Sequence, residues 1–181
     1  QQRKDMTIVA KTNPGENVMT DDLQNLLTWH NGEKVYSPFT DEEMAGRQAA
    51  MRAEMERANL DACLFTSYHN ICYFSGFLYC AFGRRFALAI TEDSATTITP
   101  SIDGGQPWRR SYADNLTYTD WRRDNYFRAL QERLGSVKRL GIEFDHVNLD
   151  LQRLLQECFP DTKLVDVAEF AMQLRTIKSL E

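Results

Sequence analysis

Nothing in this 181-residue chain approaches the roughly 20 consecutive apolar residues that a membrane helix needs, and no secretory-leader core is visible. A membrane partner is not expected. Cysteine is sparse: Cys63, Cys72, Cys80 and Cys158 do not reach the density of a disulfide scaffold, so reduced thiols in a cytoplasmic protein are expected. They form no Cys-x-x-Cys pair, which gives no reason to expect a zinc site. Phosphate-loop glycine spacing is also missing. Asp103-Gly104-Gly105 lacks it, and Pro107 follows where helix-opening N–H groups would be wanted, so a turn is expected. An excess of positive charge is lacking too, with 21 Lys and Arg against 26 Asp and Glu and a net charge of -5. That balance works against phosphate neutralisation, and no nucleic-acid partner is expected. Trp108-Arg109-Arg110 and Trp121-Arg122-Arg123 interleave aromatics with cations. Stacking of Arg on Trp, or burial at a subunit contact, is the reading preferred to single-strand binding.

What is present suits one domain with a real core: 43% hydrophobic and 26% charged residues. Residues 1–30 read as an amino-terminal extension, polar up to Thr20, with Leu23, Leu26 and Leu27 marking a possible short helix. The globular pattern over 31–181 begins near Ser37-Pro38-Phe39. Thr40 and Glu43 form a capping box, and Met44, Met51, Met55 and Ala58 then recur at helical spacing as core rather than a cofactor box. Ala62–Thr66 reads as a buried strand, broken by Ser67–Asn70, with the apolar run resuming over Ile71–Phe74 to a stop at Gly76. Phe86–Ile90 and Ala95–Thr99 form a hairpin around Glu92-Asp93-Ser94.

Leu116–Tyr118 is a further strand, and Tyr126, Phe127, Leu130 and Leu134 give a helix face ending at Gly135. Arg139–Phe144 and Lys163–Val167 are strands on either side of a helix capped by Asn148 and stopped by Pro160. A last helix from about Phe170 runs on to Glu181 without a stop signal, which suggests more sequence downstream. Hairpin-linked strands followed by strands alternating with helices predict an α/β fold, a mixed β-sheet flanked by helices.

Two strings are compositionally unusual: Thr66–Arg84, and Asp103–Arg110 followed by Tyr118–Phe127. Both closely resemble the amino-terminal domain of the creatinases, within the creatinase/prolidase pita-bread superfamily. The resemblance runs from about Leu27 to Glu181, through Gly141-Ile142-Glu143 and Leu164–Ala168, and Ile177-Lys178-Ser179 looks like the junction to a second domain. It implies a ribonuclease H-like fold, a homodimeric parent enzyme, and hydrolysis of creatine, or a related guanidino acid, to sarcosine and urea without a metal or other cofactor. The catalytic histidine and the guanidinium-binding glutamates belong to the larger domain, absent here. No catalytic residue is therefore expected in this chain, which alone should be inactive. By residue-for-residue match, Phe82 and Arg84 are lent to the active site of the other subunit. Arg85 departs from the family pattern, which has proline there.

The chemistry agrees with that assignment. A guanidinium fork grips a carboxylate with two charge-assisted hydrogen bonds, where lysine offers only a point charge. If the segment is extended, Phe82 and Arg84 point to the same side. An aromatic face beside a cationic N-methylated ligand contributes roughly 0.5–2 kcal/mol. The bland alternative makes Arg84 a solvated surface residue and Phe82 core. His69, near Cys63 and Cys72, invites a nucleophile reading, but no orienting acid or oxyanion signature accompanies it and Cys63 lies in an apolar run. Packing or a loop hydrogen bond is the preferred role. Two alternatives for the whole remain: a metallopeptidase on the same scaffold, or a stand-alone interaction module.

Overall fold

Capping residues mark where three of the helices begin or end. Thr40 opens helix α1 (Asp41–Arg57) by accepting the Glu43 N–H at 3.2 Å, and Asn148 opens α5 (Leu149–Cys158) by accepting that of Leu151 at 2.8 Å. Gly135, at φ 58°, closes α4 (Asn125–Leu134). The computed structural model describes residues 26–80, 83–120 and 124–178.

Within them a mixed seven-stranded sheet has the order β1-β5-β4-β3-β2-β6-β7. The strands are β1 (Leu26–Leu27), β2 (Ala62–Phe65), β3 (Ala87–Thr91), β4 (Ala95–Pro100), β5 (Asp114–Tyr118), β6 (Arg139–Ile142) and β7 (Lys163–Asp166). The expected hairpin is β3–β4, antiparallel with Ala87 opposite Ile98. β4 and β5 are parallel, as are β2, β6 and β7.

Alternation divides the core between the two faces of the sheet. Ala62, Leu64, Ala89, Leu140 and Ile142 meet α4 and α5 through Phe127, Leu130, Leu151 and Leu155. Cys63, Phe65, Leu88 and Ile90 meet the other layer through Met51 and Met55 of α1, Ile71 and Phe74 of α2 (Tyr68–Ser75), and Ala171 of α6 (Ala168–Thr176). Met44 is likewise buried, as is Gln48, whose Nε2 donates to the Phe74 carbonyl at 3.0 Å. No helix among the described residues is long and apolar enough to cross a membrane.

Three local expectations are corrected. The apolar run Ile71–Phe74 is helix α2, not a resumed strand. Ser67 caps it through the Asn70 N–H, and Gly76, at φ 74°, ends it. Leu26 and Leu27 pair with Tyr118 and Thr117 as a strand rather than a helix, because the edge of β5 offers backbone partners; Leu23 and most of the expected 1–30 extension lie outside the described residues. The turn expected at Asp103-Gly104-Gly105 is present at its two glycines, and it feeds a short helix α3 (Gln106–Arg110), which tolerates Pro107 in its first turn. The last helix begins earlier than expected and stops at Thr176, where Ile177 turns extended (φ -85°, ψ 120°).

Candidate functional site

Parallel pairing brings the carboxyl ends of β2, β4, β5, β6 and β7 to one end of the sheet, and antiparallel β3 starts there. The loops carrying Arg84, Asp103 and Asp120 therefore converge. Tyr118 fixes their spacing. The residue is 5% exposed, its ring packs edge-on against Tyr126, and its hydroxyl donates to the Arg85 carbonyl at 2.8 Å.

Arg84 and Arg85 diverge from this point. Arg84 Nε donates to Asp120 Oδ2 at 2.7 Å, with both side chains well exposed at 40% and 37%. Arg85 Nη2 turns instead to Asp150 Oδ2 in the first turn of α5, at 3.2 Å, and its guanidinium lies 5.5 Å from the Phe127 ring centre. Asp120 stabilises the charged form of Arg84, by hydrogen bond first and by charge second. Burial pushes the Asp103 carboxyl above its ordinary range, Arg84 opposes that shift, and Asp120 adds to it. Asp103 and Asp120 are thus electrostatic neighbours of the same guanidinium.

Phe82 lies outside the described residues. A common side for Phe82 and Arg84 by alternation requires an extended segment. Gly83, between them, sits at φ 72°, in the left-handed region.

The second polar cluster at this end is structural. Glu143 follows β6 and is 1% exposed. Its Oε2 accepts the N–H groups of Thr66 and Ser67 at 2.6 and 2.9 Å, and its Oε1 accepts Asn70 Nδ2 at 2.6 Å and the Ser67 hydroxyl. A carboxylate at a helix amino terminus with several donors is well stabilised there. Beside it, His146 Nδ1 and Thr66 Oγ1 are 2.9 Å apart.

His69 is exposed on α2; partial burial first, and Arg175 second, hold its imidazole below the ordinary range. Cys63 is fully buried in β2, where desolvation raises its thiol and suppresses the thiolate. The pair does not make a nucleophile site. Among the described residues, no group of three or more His, Cys, Asp or Glu is arranged to hold a metal ion.

The aromatic and basic stretch resolves differently from the expected Arg–Trp stacking. Lys34 Nζ lies 3.8 Å from the Trp108 ring centre, and the centre of the His30 ring lies 4.4 Å from it. Arg109 Nε instead donates to the Glu33 carbonyl at 3.3 Å. Trp121-Arg122-Arg123 lie outside the described residues. Sequence reasoning missed the roles of Asp120, Asp103 and Glu143. No local signal could have revealed the first pairing, because Arg84 and Asp120 are 36 positions apart.

Residues 47–177 match the model of the creatinase/prolidase N-terminal domain. The chain is 46% identical over 167 residues to a protein named creatinase from Bacillus sp. (strain B-0618), an alignment covering 90% of this chain and 41% of that one. This chain thus spans about two-fifths of the length of that curated relative. Its fold matches a proline dipeptidase from Streptococcus pneumoniae at 19% identity and TM-score 0.66, over 72% of this chain and 98% of that one. It also matches a prolidase from Pyrococcus horikoshii at 21% identity and TM-score 0.62, over 75% of this chain and 36% of the prolidase. The mixed sheet with helices on both faces is that fold.

Proposed function

Because this chain belongs to the creatinase/prolidase N-terminal domain family, we propose that it is the amino-terminal part of a creatinase-like hydrolase. The complete protein converts creatine and water to sarcosine and urea. Water adds to the guanidinium carbon, the bond from that carbon to the sarcosine nitrogen breaks, and that nitrogen leaves with a proton. The groups that carry out these steps belong to a further domain. This domain supplies Phe82 and Arg84 to the partner subunit's cleft in a homodimer, with Arg84 taking the substrate carboxylate.

The observation that carries this reading is the 46% identity with the Bacillus creatinase, set against about 20% for the prolidases, a level that speaks for the fold alone. The exposed guanidinium of Arg84 supports it. Asp120 is bonded at Nε, so the terminal Nη1/Nη2 edge is the one a ligand carboxylate would meet. Creatine is a zwitterion, and a fork for its acidic end with an aromatic face for its cationic end would suit both poles.

The test is steady-state kinetics on the full-length protein carrying this chain. Urea release from creatine is expected, with Arg84→Ala raising KM for creatine about tenfold or more while sedimentation shows an unchanged dimer. Cleavage of Xaa-Pro dipeptides without urea release would transfer the protein to the peptidase side of the family. A wild-type KM in Arg84→Ala would remove the substrate-binding role of this domain.

A further inference from the structure

Resting on that reading of Arg84, we propose that Asp120 is a positioning residue. It holds the guanidinium by its Nε edge so that the Nη1/Nη2 edge is presented to the carboxylate of a small guanidino acid. The contact is a 2.7 Å charge-assisted hydrogen bond between loops 36 positions apart. A surface arginine samples many rotamers, and binding a ligand with it ordinarily costs that freedom. An anchor at Nε removes much of that cost in advance, without using the edge that makes the bidentate contact.

The anchor itself is well held. Asp120 follows buried Tyr118 and Thr119 at the end of β5. Asn125, fully buried at the start of α4, donates through Nδ2 to the Thr119 carbonyl at 2.9 Å and to Thr119 Oγ1 at 3.0 Å. On the other side, the Tyr118 hydroxyl fixes the carbonyl of Arg85, the residue after Arg84. The donor and its anchor are therefore tied to the same strand end by separate hydrogen bonds. Asp103 does not compete for the role: its influence on Arg84 is one of charge, and it follows β4 rather than β5.

In the full-length protein, KM and kcat for urea release from creatine are to be measured for Asp120→Ala, Asp120→Asn, Arg84→Ala and the Arg84→Ala/Asp120→Ala double variant. Asp120→Ala is expected to raise KM about 2- to 10-fold, the range of a released long side chain, with kcat within about twofold of wild type. Asp120→Asn keeps an acceptor oxygen and should recover part of the loss. In the Arg84→Ala background, removing Asp120 should change KM no further. A KM that is unchanged or lowered by Asp120→Ala overturns the proposal, the lowered value because Asp120 would then be a competitor for Arg84. So does an equal effect in both backgrounds. Those outcomes leave the role of Arg84 standing; a wild-type KM in Arg84→Ala alone removes the underlying reading as well. If the alanine variant does not fold, the asparagine variant carries the same comparison.

Discussion

Removing the Glu143 carboxylate should cost this domain a large part of its stability, and the amount follows from its four contacts. Thr66 and Ser67 each lose the acceptor for a backbone N–H, and Ser67 and Asn70 lose the acceptor for a side-chain donor. A buried donor left without a partner costs about 1–3 kcal/mol. Glu143→Ala also leaves a polar space that water can enter and partly satisfy. With that relief, a loss of about 3–5 kcal/mol is expected, comparable to breaking a buried charged network. Against the roughly 5–15 kcal/mol that holds a domain together, this is severe.

Glu143→Gln distinguishes charge from shape. One amide oxygen can still accept the two backbone N–H groups. The amide nitrogen then faces Asn70, whose Oδ1 is buried without a partner, so a flip of Asn70 provides an acceptor. The expected cost is about 1–2 kcal/mol. Urea denaturation followed by tryptophan fluorescence and circular dichroism reads both values. With an m value of about 2 kcal/mol/M, the alanine variant's midpoint should fall by roughly 2 M and the glutamine variant's by less than 1 M. An alanine variant within about 1 kcal/mol of wild type would refute the claim that this carboxylate ties β6 to the start of α2. Equal losses for the two variants would show that charge, not acceptor geometry, sets the cost.

Gly141 and His69 provide two further tests. A Cβ added at Gly141 would lie 2.6 Å from both Cys63 Sγ and Val167 Cγ1, so Gly141→Ala should destabilise by about 1–3 kcal/mol, and an unchanged thermal midpoint would contradict that packing. Partial burial, then Arg175, weakens proton binding by His69 in the folded state; since the unfolded chain protonates with a pKa of about 6.5, this group's contribution makes stability fall as pH drops below that value. Arg175→Ala should raise the His69 pKa measured by NMR, and an unmoved titration would sink the attribution.

How much of this was legible in the sequence depends on the range of the deciding interaction. Helices α1, α4 and α5 were readable because Thr40, Asn148 and Gly135 act on backbone within a few residues of themselves. The β3–β4 hairpin was readable for the same reason, its turn lying between the paired strands. Helix α2 was not. Its eight residues are too short to display a helical period, and the carboxylate that supports its start arrives from Glu143, more than 70 positions away. Gln48 was equally hidden: a polar residue on an apolar helix face becomes core only because the Phe74 carbonyl is there to receive it.

The site divides along the same line. The residue type at Arg84 could be read, since only a guanidinium combines fixed charge with a planar fork. Its direction could not, because that is set by Gly83 and by Asp120, one a backbone angle and the other a distant loop. An extended Phe82-Gly83-Arg84 would place both side chains on one side by alternation alone. With Gly83 at φ 72°, any common direction of the aromatic ring and the cation must come instead from the bend and from the partners each side chain finds. For Arg84 that partner is Asp120. The presentation of the fork is consequently a property of the β5 terminus as much as of the arginine's own loop, and a substitution there should alter it without touching the residues that the sequence singles out.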